Sequence, residues 1–259
     1  MSSQITTELV KELRDATGVS VMQCKRALEE AEGDMKKALA ILKKTSSDIA
    51  LKKGNREVKD GAVTIKTTDK KAVLVALHCE TDFVSRNADF TTLLSKLGDM
   101  ALADGVEKMK AGAKDMIDPI IQKTGENIQL GEISEVLGSV LGGYVHNNKS
   151  GVIVSLEGGS VDLAKDIAMH ITAMRPEYID ESEVTPEAKT IMMEIFQKEV
   201  AGVDKPEEIK KKMLEGKIST YFKEKTLVNQ PFIKDPQDTV GKLLEKAKAK
   251  IKEVKRYSI

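Results

Sequence analysis

The densest run of reactive side chains in this sequence is His78-Cys79-Glu80-Thr81-Asp82, which sets an imidazole, a thiol and two carboxylates within five residues. Those are the groups a thiol hydrolase or a metal site needs. Their spacing opposes both: on an extended strand His78 and Glu80 face one side and Cys79 the other, so adjacency in sequence is not adjacency in space. No other zinc-type ligand set, no Gly-rich phosphate loop ending in Lys and no Ser nucleophile elbow occurs in the chain, and an enzyme is not expected. His170 lies on an apolar helical face and reads as a packed core residue. His146, which ends a strand before a polar turn, is the better candidate for a contact. Thr81-Asp82-Phe83-Val84 is the most informative tetrapeptide, because a strand ends there and a large aromatic follows an acid where the chain leaves a sheet. On residue chemistry alone, Asp82 caps the next helix and Phe83 tucks into the core.

These residues sit in a chain of 259 residues, 41% hydrophobic and 32% charged, a composition that folds and buries a core. The length suggests two or three units. Lys plus Arg and Asp plus Glu both number 41, so no bulk positive field exists to gather a polyanion, and direct nucleic-acid binding is not expected. Two cysteines far apart in sequence, no apolar run near the roughly 20 residues a bilayer requires, and a first segment, Met-Ser-Ser-Gln-Ile-Thr-Thr, without secretory character point to a reducing cytoplasmic compartment. No cofactor, metal, membrane or small-molecule substrate is expected.

Three short helices are predicted over residues 5 to 44. Thr6 is a plausible N-cap with Ile5 and Val10 as a staple, and Gly18 stops the first helix, whose apolar face is Leu9, Val10, Leu13 and Ala16. Ser20-Val21-Met22-Gln23 opens the second as a capping box in which the Gln side chain returns to the Ser amide; its buried stripe is Cys24, Ala27, Leu28 and Ala31. Gly33 ends that helix, and Asp34 caps a third carrying Met35, Ala38, Leu39 and Leu42. A core this small cannot bury every apolar residue of the Gly18 to Lys25 turn. Val21 and Met22 are therefore either turn residues of the bundle, which periodicity alone favours, or a face for a partner. The pattern resembles a ubiquitin-associated-type bundle, a fold that serves unrelated partners.

From Thr45 to Gly61 the apolar face is lost, and a partly helical linker is expected. A hairpin follows, Ala62 to Thr67 and Ala72 to Cys79 around Thr68-Asp69-Lys70-Lys71, and then a helix through Phe90, Leu93, Leu94, Leu97 and Met100-Ala101. The same order returns with Ser139 to His146, a polar turn at Asn147 to Ser150, Gly151 to Leu156, and a helix over Val161 to Met174 closed by Arg175-Pro176. This repeat predicts an α+β protein: a ubiquitin-associated-like bundle and linker at 1–54, then a duplicated core of antiparallel sheets with helices, its first subdomain at 55–138 and its second at 139–259. Pro186 and Lys205-Pro206 each start a charged helical run, so an antiparallel helical hairpin is predicted as an insertion at about 185–225. After Asn229-Gln230-Pro231-Phe232 a helix through Val240, Leu243 and Leu244 leads to a basic end, Lys242 to Arg256, read as a solvated helix face.

Three separated stretches resemble the elongation factor Ts family: Leu9-Val10-Lys11-Glu12-Leu13-Arg14 with Thr17-Gly18 and Met22-Gln23-Cys24-Lys25; Glu80-Thr81-Asp82-Phe83-Val84; and Ile167-Ala168-Met169-His170-Ile171. Gln230-Pro231-Phe232 and Tyr144 to His146 fall where the family has similar segments, so the resemblance covers nearly the whole chain. It implies a partner, elongation factor Tu, and catalysed release of GDP with no covalent step. It also implies that Thr81-Asp82-Phe83-Val84 intrudes beside the partner's nucleotide site and disturbs its Mg²⁺, with Phe83 as the wedge and Asp82 helping to place it. Arg14, Val21 and Met22 would hold the N-terminal module on the GTPase domain, and His146 would lie near the second subdomain's contact. The family's longer members continue past the last strand into a C-terminal helix, whereas this sequence stops at Arg256-Tyr257-Ser258-Ile259, so one anchor is expected to be missing. Two rival readings, a peptide-binding N-terminal module on an unrelated scaffold and a thiol enzyme using Cys79, leave the Thr81 to Val84 match unexplained.

Overall fold

A computed structural model describes residues 5–259. Residues 1–4, which open both the segment read for secretory character and the 1–54 module, lie outside the described residues. Two compact units divide the chain. One takes in the described residues up to Glu135 with Val145–Gly151 and Tyr257–Ile259; the other is Val136–Tyr144 with Val152–Arg256.

The first unit opens with helices α1 (Thr7–Thr17), α2 (Val21–Glu30) and α3 (Met35–Lys53). Their ends follow the local chemistry. Thr6 Oγ1 accepts the Leu9 N–H at 3.3 Å, and Gly18, at φ 67°, closes α1 with its N–H on the Arg14 carbonyl. Asp34 Oδ1 takes the Lys36 and Lys37 amides. Ser20 Oγ accepts the Gln23 N–H at 3.3 Å, but the Gln23 side chain does not return to the Ser20 amide; its Oε1 accepts the Ser20 hydroxyl proton at 2.9 Å. Val10, Leu13, Val19, Cys24, Ala27, Leu28, Ala31, Ala38 and Leu42 form the core. Ala16 and Leu39, expected on apolar faces, are exposed, because three short helices cover only a narrow stripe of one another.

Of the partly helical linker expected from Thr45 to Gly61, the part to Lys53 continues α3 and residues 54–59 lie outside any helix or strand. That helical stretch has little apolar periodicity because, Ile49 and Ala50 apart, what it buries is polar. The single hydroxyl proton of Ser46 is shared between the Leu42 carbonyl and Gln122 Oε1, and Ser47 Oγ donates to Asp118 Oδ2 at 2.7 Å. Strands β1 (Asp60–Thr67) and β2 (Lys71–Cys79) then pair antiparallel from Asp60↔Cys79 to Thr67↔Ala72. Helices α4 (Asp82–Ser85), α5 (Ala88–Asp104) and α6 (Val106–Thr124) follow, and β3 (Ile128–Leu137) completes the order β1-β2-β3. Helix α6, with Pro119 inside it, and strand β3 stand where the sequence suggested no element. As the central strand β2 is covered on both faces, so it reads as an unbroken apolar run. Val73, Val75, Leu77 and Cys79 join Phe90, Leu93, Leu94 and Leu97 of α5 and Met109, Ala113, Ile117 and Ile121 of α6 in one core.

The second unit is built on Val140–Tyr144 of β4 (Val140–His146), Val152–Glu157 of β5 (Ser150–Glu157) and the last strand up to Arg256, with helix α7 (Val161–Met174) against them. A Cβ at Gly142 would strike the backbone of Ala164 and Lys165, so only glycine permits this approach of β4 to α7. Helices α8 (Pro186–Ala201) and α9 (Glu207–Lys225) form the inserted hairpin. They are antiparallel, since Phe196 meets Tyr221 with ring centroids 5.7 Å apart while Glu199 pairs with Lys217 at 2.8 Å. The chain returns beside its point of departure, where the Lys225 carbonyl accepts the Glu177 and Tyr178 amides. A short pair, β6 (Pro231–Phe232) and β7 (Asp235–Thr239), and helix α10 (Val240–Lys246) lead to β8 (Lys250–Ser258), which lies beside β5 in the order β4-β5-β8. The basic end is therefore a strand from Lys250 onward, not a helix face. The left-handed Lys248, φ 51°, breaks the helical path, and Ile251 and Val254 turn inward while Lys250, Lys252 and Lys255 stay exposed on an edge strand that their charge keeps from pairing further.

His170 is wholly buried, as its helical position suggested. Its Nδ1 accepts the Ile233 N–H at 3.2 Å, so the ring proton resides on Nε2, which faces Gln230 Oε1 at 2.9 Å. Burial lowers its pKa, against a smaller opposing effect from Gln230. The folded value thus lies below the unfolded one of about 6.5, and in the interval between them the unfolded chain binds more protons. The stability owed to neutral His170 should be complete above about pH 6.5 and decline as pH falls toward the folded value. Urea unfolding at stepped pH should show this loss, and His170→Gln should flatten it; an equal slope in the variant would refute the assignment.

Candidate functional site

Thr81-Asp82-Phe83-Val84 forms the exit from β2 into α4. The side chains do not follow the cap-and-core arrangement suggested by residue chemistry. Thr81, at φ −131° and ψ 160°, holds the N-cap position, and Asp82 is the first helical residue, paired with Arg86 at 3.2 Å one turn later. Val84 faces the core, and Phe83 is 84% exposed. The reason is geometric: in a single turn successive side chains point about 100° apart, so seating Val84 in the core sends Phe83 to water.

The turn is held from both ends. Glu126, which follows α6, accepts the Glu80 and Thr81 amides on Oε2 at 3.1 and 3.0 Å and the Thr81 hydroxyl on Oε1 at 2.6 Å. Glu80 reciprocates, its Oε1 accepting the Asn127 N–H at 2.6 Å. At the other end the Lys149 ammonium reaches Ser85 Oγ at 3.2 Å, the Gly61 carbonyl at 2.6 Å and the Asp60 carboxylate. Burial acts to raise the Asp60 pKa, but hydrogen bonds from Lys149, Ser85 and the Gly61 amide outweigh it and hold the group below the usual carboxylate range.

Lys149 belongs to the tight turn that begins at His146. Asn147 and Asn148 are both left-handed, and the Lys149 N–H returns to the His146 carbonyl at 2.9 Å. His146 is exposed, with Nε2 3.2 Å from Asn147 Nδ2. The structure thus joins the His146 turn to the Phe83 turn through one ammonium. Arg14 is exposed in the last turn of α1. Val21 and Met22, 53% and 60% exposed, stand in the first turn of α2. The adjoining Gly18 packs by Lys123, since a Cβ there would lie 3.2 Å from Lys123 Nζ, and Lys123 pairs at 2.5 Å with Asp89, seven residues past Asp82.

Cys79 does not supply a nucleophile. Its thiol is buried, donates to the Thr81 carbonyl at 3.2 Å, and is pushed up to about 12 by burial first and by the Asp60 and Glu126 charges second. His78 Nε2 is 2.9 Å from the Tyr257 hydroxyl. Among the described residues no three His, Cys, Asp or Glu side chains are placed to hold a metal ion, and no helix is long and apolar enough to cross a membrane. Sequence reading missed Glu126, Lys149, Asp60 and Ser85, which pair across 45, 64 and 89 residues of sequence and carry no local signature.

The family model for Elongation factor TS matches residues 80–259. Proteins named Elongation factor Ts from Thioalkalivibrio sulfidiphilus and Hahella chejuensis are each 40% identical to the chain over 98% of it and 92% of their own length. One from Pseudomonas fluorescens is 39% identical over 99% and 91%. These likenesses put the chain in the class of translation elongation factors. Within that class it belongs to the elongation factor Ts family.

Proposed function

We propose that the protein is a guanine-nucleotide exchange factor that binds elongation factor Tu·GDP in the cytoplasm and promotes GDP release by disturbing the partner's Mg²⁺ site, so that GTP can reload during elongation. The observation that carries this reading is Phe83, an aromatic left in water on a turn braced at both ends. Leaving such a ring exposed forgoes roughly 1.5–3 kcal/mol of burial, which a partner can recover. Phe83 is the wedge, Thr81 and Val84 set its base, and Asp82, locked to Arg86, stands beside it. Arg14, Val21, Met22 and His146 supply the surrounding partner contacts, Met being an adaptable apolar surface.

The partner's Mg²⁺ neutralises phosphate charge, and displacing its ligands leaves GDP held against uncompensated repulsion. Factor and nucleotide must then weaken each other by the same factor, so exchange is a coupling free energy and needs no reacting side chain. The test is release of a fluorescent GDP from elongation factor Tu with and without the protein over a range of Mg²⁺ concentrations. Acceleration of about 10-fold or more, shrinking as Mg²⁺ is removed from both samples, is expected; no acceleration at any Mg²⁺ concentration would sink the reading.

A further inference from the structure

Helix α4 has two i to i−4 backbone bonds of its own, from the Ser85 N–H to the Thr81 carbonyl and from the Arg86 N–H to the Asp82 carbonyl, both 3.2 Å long. A single turn fixes several residues for its first bond, and its nucleation is unfavourable in isolation. Phe83 adds nothing to its stability, because the ring is outside the core. What holds the turn comes from elsewhere in the unit. Glu126 spends both carboxylate oxygens on three donors at the N-terminal end, and charge-assisted bonds of this kind are about twice as strong as neutral ones. Lys149 fixes the C-terminal end through Ser85, whose own hydroxyl donates to the Asp82 carbonyl at 3.2 Å. The Lys149 ammonium is tied to the β1 backbone at Gly61, so the turn is referred to the sheet itself.

We infer that Glu126 and Lys149 are positioning residues: they clamp the two ends of Thr81–Ser85 so that Phe83 is held out in one orientation before any partner arrives. Neither touches the partner in this account. Each acts through the backbone that carries the ring, lowering the ordering cost otherwise met when the ring enters the partner's nucleotide site, a step that follows docking through the other contacts. The consequence for exchange rests on the function proposed above; the mechanical claim does not.

The chain contains no tryptophan, so Phe83→Trp creates a single tryptophan at the site, excited selectively at wavelengths the tyrosines do not absorb. In the full chain with that reporter, time-resolved anisotropy reads the nanosecond freedom of the ring. Glu126→Ala, Lys149→Met and Thr81→Val should each increase the amplitude of fast depolarisation about twofold or more. Thr81→Ser, which keeps the hydroxyl for Glu126, should restore the original decay. Thr81→Val removes the same hydrogen bond from its other end with little change of volume, which separates the clamp from any general loss of fold at Glu126. Identical decays in all variants would overturn the inference. With Phe83 intact, Glu126→Ala and Lys149→Met should lower the maximal rate of GDP release about three- to tenfold while moving the half-saturating concentration less than about twofold. If Phe83→Ala slows release but these two variants do not, the clamp is refuted and the exchange reading stands. If Phe83→Ala has no effect, the wedge is refuted, and the anisotropy still decides the clamp.

Discussion

Phe83→Ala should slow catalysed GDP release from elongation factor Tu by about 10- to 100-fold at saturating factor, the range spanned by typical couplings between two sites. The protein itself should not change. Phe83 is 84% exposed and outside the core cluster, and surface substitutions away from special features shift stability by about 0.5 kcal/mol or less. Stopped-flow release of a labelled nucleotide, paired with a thermal melt and a circular dichroism spectrum of the variant, checks both halves. Equal release rates with an unchanged spectrum would remove Phe83 from the mechanism. Residual activity is expected, because Arg14, Val21, Met22 and His146, the other partner contacts proposed, remain in place. Phe83→Leu should retain more activity than alanine, since it keeps apolar volume and loses the flat ring.

His170→Ala should cost about 3 kcal/mol of folding stability, one of the larger single-residue effects available in the second unit. The substitution leaves Gln230 Oε1 and the Ile233 N–H without their ring partners in a buried setting. It also opens a cavity beside Phe232, whose ring centroid lies 5.8 Å from that of the imidazole. The loop from Gln230 to Ile233 is thereby untied from α7. Chemical denaturation of wild type and variant at neutral pH measures the difference, and a loss below about 1 kcal/mol would show that water or neighbouring side chains replace the imidazole. His170→Gln, able to offer one donor and one acceptor, should recover part of the loss.

The local grammar of the chain was legible where signals are short. Thr6, Gly18, Ser20 and Asp34 act at the helix ends where their chemistry puts them. The hairpin of β1 and β2, the span of α7 and the inserted pair α8 and α9 emerge from period and punctuation. Elements failed to show where periodicity was masked. Helix α6 carries Gly112 and Pro119, and α3 beyond Thr45 buries serines. The last strand was hidden among lysines, because an edge strand can be mostly polar and still pair on one side.

The Thr81 to Val84 motif could be found in the sequence, but the direction of Phe83 could not. An aromatic after a strand has two places to go, and residue type alone favoured the core. The choice was settled by Val84, which fills the available core position, and by Glu126 and Lys149, which reach the turn from the far end of α6 and from the His146 turn. By itself the sequence determined the α+β class, the caps of the three N-terminal helices, the places of the two hairpins and the family, since these depend on residues a few positions apart or on motifs read in order. Tertiary structure decided which side of each short turn meets water and which charges brace it. Those outcomes depend on competition for one packed core among residues distant in sequence, and no local preference carries that information.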